Sequence, residues 1–134
     1  MLVKYKIGSG AYTLLFDESA GDANEKFAPT FHDQVMPVPG YGAPSQSQVP
    51  MANTECDLPF KWNSVYASAA AALTAIVTFR STFKGVQCHL QVTMGATVVY
   101  FPYAVLVTSS HDQTNLSVTY SVTFKTADIT TTAP

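Results

Sequence analysis

The sequence predicts an α+β chain, mainly β: an antiparallel β-sandwich or half-barrel with one flanking α-helix over about 64–80 and a long Pro-rich loop. Three observations predict it. An alanine-rich run from Val65 to Phe79 carries helical spacing; Val86–Thr93 and Leu116–Lys125 alternate apolar and polar residues; and five of the eight prolines crowd between Pro29 and Pro50. Periods of 3.6 and 2 are the signatures of a half-buried helix and a half-buried strand. The 134 residues fit one compact domain, 1–134, able to bury roughly two thirds of the surface its unfolded chain exposes.

The elements follow in order. Leu2–Ile7 and Ala11–Phe16 are short apolar-rich runs around Gly8-Ser9-Gly10, which suits an antiparallel hairpin because glycine takes the positive φ of such turns. Residues 17–61 read as a loop-rich insert, broken by Asp17–Asp22 and by Pro37, Pro39 and Pro44. Such an insert is either a floppy surface loop or an arm that orders on a neighbouring subunit. Asn63 or Ser64 then caps the helix, whose core face is Val65, Ala69, Ala72, Leu73, Ile76 and Phe79 or Arg80. The other face, with Ser68, Ala70, Ala71, Ala75 and Thr78, carries no charge, although a solvent-facing helix normally carries several. Gly85 ends the helix. After Val86–Thr93 the chain turns at Met94-Gly95-Ala96 into Thr97–Val107, where Pro102 marks a bulge or an edge because proline cannot donate to a ladder. Ser109–Asn115 reads as a polar loop, Leu116–Lys125 as the closing strand, and 126–134 as a frayed tail.

Composition excludes several classes. Only 12% of residues are charged and the net charge is −2, so the chain lacks the clustered Lys and Arg that direct DNA readout demands. Low charge also leaves much of the surface to Ser, Thr, Gln and Ala, which suits burial against other protein. Cys56 and Cys88 have no metal-ligand spacing and are expected to be free and buried. The segment Met1–Gly8 lacks the apolar core of a signal peptide. Val65–Phe79 falls short of the about 20 residues that a spanning helix needs, so no membrane partner is expected.

No reaction centre is legible. Ser110-His111-Asp112 are consecutive, and a catalytic triad must instead converge in space. His32-Asp33, His89 and His111-Asp112 lack the spacing of a metal site. Gly8-Ser9-Gly10 lacks both the dinucleotide and the P-loop patterns and is a turn. Tyr100-Phe101-Pro102-Tyr103 reads mainly as core packing by alternation, and Asn115-Leu116-Ser117 matches a glycosylation acceptor that matters only in a secretory compartment. Neither a catalytic activity nor a cofactor nor a metal is expected.

The helix Val65–Phe79, the strand Val86–Thr93 after Gly85, the hairpin partner with Tyr100, Tyr103, Ala104 and Val105, and the closing strand Leu116–Lys125 occur in an order that resembles the domain of bacteriophage tail-tube proteins and the N-terminal region of distal tail (baseplate) proteins. The resemblance covers most of the chain. It implies a virion structural protein of a long-tailed phage, made in the host cytoplasm, that forms a ring, a hexamer, around the DNA channel and docks other tail proteins. DNA would meet it only in passage. On this reading Pro39, Tyr41, Pro44 and Val49 of the insert, with Ala70, Ala71 and Ala75 of the helix, form the oligomer interface. Ser117, Thr119, Ser121 and Thr123 face the channel. The chain departs from the family in lacking a second domain and any clear long hairpin of the kind that stacks tube subunits. Alternatives are a tail terminator or head–tail joining protein, and a carbohydrate-binding β-sandwich using Trp62, Tyr100, Phe101 and Tyr103.

Overall fold

The computed structural model describes residues 1–17, 27–39 and 46–134, with the backbone alone at 37–39 and 46–52. It contains β1 (Leu2–Lys6), β2 (Thr13–Asp17), β3 (Thr30–Pro39), β4 (Gln46–Val65), α1 (Ala69–Phe83), β5 (Gln87–Met94), β6 (Thr97–Thr114) and β7 (Ser117–Thr126). The strands form one antiparallel sheet in the order β2-β1-β5-β6-β7-β4-β3. The architecture is therefore mainly β with one helix, as the alternation patterns require, and of the two expected forms its single open sheet fits the half-barrel and not the sandwich.

That sheet is strongly curled. Five strand steps separate β2 from β4, roughly 24 Å if the sheet were flat. Yet the rings of Phe16 on β2 and Trp62 on β4 stack at 4.7 Å, and Phe16 meets Phe60 edge-on at 5.4 Å. The inner face thus closes on itself through side chains, while β2 and β3 pair on one side only among the described strands. Alternate residues of each strand fill it: Cys56, Leu58, Phe60 and Trp62 of β4, Cys88, Leu90 and Val92 of β5, and Val118, Tyr120, Val122 and Phe124 of β7 are all buried.

The helix packs on this inner face through Ala72, Phe79 and Phe83, which are buried. Phe79 contacts Trp62 and Tyr120, and Phe83 contacts Tyr5 and Phe124. The expected boundaries 64–80 and the expected cap at Asn63 or Ser64 are corrected to 69–83 with Ser68 as N-cap, its hydroxyl accepting from the Ala71 N–H. The strand period explains the shift: the alternation of Cys56 to Trp62 carries β4 through Val65, which pairs with Ser117. The expected core face is also corrected. Leu73 is 58% and Val65 72% exposed, because the two largest apolar side chains, Phe79 and Phe83, choose the buried side and bring Ala72 and Ile76 in with them.

Three segments read as irregular carry regular structure or backbone pairing among their described residues. The insert 17–61 holds β3 and most of β4, and the supposed loop Ser109–Asn115 is the second half of β6, with Ser109, His111 and Gln113 opposite inward residues of β7. The tail 126–134 is tied down. Ala127 N–H donates to Pro102, Tyr100 and Thr130 exchange both backbone hydrogen bonds, and Lys6 Nζ donates to Pro134.

Pro102 does accompany a bulge, between Cys88 and Leu90 of β5, and Tyr103 next to it has φ 56°. Cys56 and Cys88 are free and buried. They lie three strand steps apart in the sheet order β5-β6-β7-β4.

Candidate assembly surfaces

The chemistry-bearing residues do not converge. Pleating puts Ser110 and Asp112 on the outer face and His111 on the inner one, where its ring meets Phe79 at 5.2 Å and Tyr120 at 5.1 Å. His32 pairs with Asp57 at 2.9 Å on the surface, and no three His, Cys, Asp or Glu residues gather around a metal-sized space among the described residues. Trp62 and Phe101 are buried in the core. An aromatic sugar platform built from them is thus corrected: of its four residues only Tyr103 stands well out.

What the fold does build is surface. The first is hydroxylic. Ser117, Thr119, Ser121 and Thr123 sit together on the outer face, beside Asn63, Lys61 and Pro59 of β4 on one side and Thr114, Asp112, Ser110 and Thr108 of β6 on the other. Ser117 Oγ donates to Asn63 Oδ1 at 2.6 Å. The β6 hydroxyls double the width of this face, and reading their segment as a loop hid them.

The second is a ribbon. Pairing of β4 with β7 begins at Cys56, so among the described strands Gln46–Glu55 pair with β3 alone and extend past β7 as a two-stranded arm about 30 Å long at about 3.3 Å per residue. The sequence pattern suggests no such two-stranded arm, since residues 17–61 read as a loop-rich insert. Pro39 lies opposite Gln46 and Val49 opposite Met36, while Tyr41 and Pro44 fall outside the described residues. Phe31, Val35 and Met36 are exposed. Pro37 and Pro39 are tolerated because β3 is an edge strand, where a missing N–H costs no ladder bond.

The third surface is the helix and the cleft beside it. Ala70 is exposed, together with Leu73 and Val77. Ala71 and Ala75 are half-buried and form one wall of a cleft of about 430 Å³ whose other walls are Tyr5 of β1 and Leu14 and Leu15 of β2. Its floor is Trp62, Phe79 and Tyr120. The Tyr66 and Tyr120 hydroxyls share a 2.7 Å hydrogen bond at the cleft, and burial, then the Tyr66 hydroxyl, pushes the Tyr120 phenol up, so it stays protonated. Every cleft-lining residue is uncharged.

No family model and no curated protein matches the sequence. Solved structures do match, over nearly the whole chain. A chain of the tail of an empty gene transfer agent particle, determined with C6 symmetry, superposes with TM-score 0.58 at 16% identity, covering 98% of this chain and 95% of that one. A chain of the native gene transfer agent virion gives 0.56 at 13%, covering 98% and 95%. A chain of the six-fold symmetrised anti-feeding prophage baseplate gives 0.55 at 11%, covering 96% and 89%. The fold is that of phage-type tail and baseplate chains.

Proposed function

We propose that this chain is a structural subunit of a phage-type tail that assembles head-to-tail into a ring of six around a channel for DNA. The observation that carries the reading is the projecting ribbon on a tail-protein fold: ten residues of β4 that, among the described strands, pair only with β3. A two-stranded ribbon gains little stability alone in water, so one built into the fold is accounted for by a neighbour that receives it. The ribbon favours a place within the tail tube. The likeness to a baseplate chain supports a second reading, the distal end of the tail, where the same ring would dock other tail proteins.

In the ring, the hydroxylic face of Ser117, Thr119, Ser121 and Thr123 lines the channel. Its hydroxyls stay wetted by water and exert no hold on phosphate, since strong binding requires several Lys or Arg per site. Ring contacts are heterologous, and each stable one buries on the order of 1,200–2,000 Å². Negative-stain microscopy and sedimentation of the purified chain test the reading: discs or tubes with a central hole are expected, and a strict monomer at high concentration would sink it.

A further inference from the structure

The geometry points to a specific ring or stacking contact: the β3–β4 ribbon of one copy lies in the cleft between α1 and β2 of a second copy. This rests on the assembly reading above and names the two surfaces that meet.

Four observations on the same chain carry it. The cleft is uncharged along its whole lining and is walled by β2, the outermost strand of the sheet on that side, where Leu14 is 52% exposed. The twenty residues from Gln34 to Asn53 contain no Asp, Glu, Lys or Arg, so the ribbon carries no charge to desolvate on entering such a site. Val35 and Met36 stand 53% and 51% exposed on it, apolar surface that water does not stabilise. And among the described elements β3 makes substantial contact only with β4. The ribbon points away from the curled body while the cleft opens in the body, so one chain offers an uncharged projection and an uncharged recess at different places. Two unlike, mutually complementary patches on one chain are what a heterologous contact needs. Ala71 and Ala75 matter through their smallness: larger side chains on that wall would fill the recess.

Cysteine pairing tests the contact without depending on how large the assembly grows. Val35→Cys or Met36→Cys is mixed with Ala71→Cys or Ala75→Cys and oxidised; the native Cys56 and Cys88 are buried and their thiols are pushed up by burial, so they do not compete. Disulfide-linked dimers are expected in at least one mixed sample and in none of the single-variant samples. Ala75→Trp, shown to be folded by circular dichroism, is expected to raise the concentration needed for assembly at least tenfold. Assemblies that form normally, give no linkage in any of the four mixtures and tolerate Ala75→Trp would overturn the cleft contact while leaving the ring standing. A wild-type chain that stays monomeric overturns both, and capture of a small molecule or a different tail protein in the cleft, with ring contacts elsewhere, also overturns it.

Discussion

At the scale of single residues, His111 is the most consequential side chain that the sequence misplaced. Both of its ring nitrogens are buried without a hydrogen-bond partner, and burial, then the nearby Arg80 guanidinium, lowers its pKa below the usual histidine value. The folded state therefore holds it neutral, whereas the unfolded chain takes up a proton at about pH 6.5. Stability is fully present above that pH and falls as the pH drops below it, because only the unfolded state gains the proton. The urea midpoint is expected to decline between pH 7 and 5, and His111→Gln to flatten that decline. His89 adds to it, since burial and Lys6 also lower its pKa, and its Nδ1 accepts the Tyr103 N–H at 3.2 Å. An unchanged midpoint over this window in the wild type would contradict the account. Cys88 gives a second test. Burial pushes its thiol up to about 12, and only the thiolate reacts, so a thiol reagent at pH 8 should leave it unlabelled in the folded chain and label it at once in urea.

At the scale of elements, legibility followed period and failed where polarity stood in for irregularity. The strands from Gln87 and from Ser117 were readable because each buries every second residue. The start of the helix was not, because Val65-Tyr66 and Ala69 fit a strand end and a helix start equally well at the level of spacing, and only the pairing of β4 with β7 decides between them. Pro37 and Pro39 concealed a ribbon whose edge position makes them harmless, and the Ser/Thr-rich second half of β6 looked like a loop although its inward residues face the helix. The helix itself offers a contrast in cost. Phe79→Ala should destabilise by about 3–5 kcal/mol, as deletion of a buried aromatic does. Leu73→Gln, on the side the sequence assigned to the core, should change the unfolding free energy by no more than about 0.5 kcal/mol. Ser68→Ala should cost about 1 kcal/mol through its cap, whereas Ser64→Ala leaves the helix end untouched. Chemical denaturation of the monomer reads all four, and equal losses for Leu73→Gln and Phe79→Ala would mean that the helix presents a different face.

At the scale of the whole molecule, the sparse charge that the sequence announced becomes a statement about how copies hold together. Two pairs of oppositely charged groups sit at the root of the ribbon, where His32 meets Asp57 and Lys125 meets Glu55 on half-exposed side chains, while the ribbon sequence beyond Gln34 and the cleft lining have no Asp, Glu, Lys or Arg. Salt screens exposed charges within about 10 Å at 0.1 M and leaves apolar contact intact, and sulfate strengthens apolar burial. If copies meet through ribbon and cleft, raising NaCl from about 0.05 to about 0.5 M should not dissolve the assemblies, and sulfate at equal ionic strength should favour them. Light scattering across the two salt series reads the outcome. Glu55→Gln should leave that response unchanged, whereas Met36→Asp should abolish assembly at every salt concentration, because it puts a charge where the recess offers no partner. Assemblies that dissolve in about 0.5 M NaCl would instead locate the contact at the charged root, where ion pairs between copies would dominate and screening would weaken them.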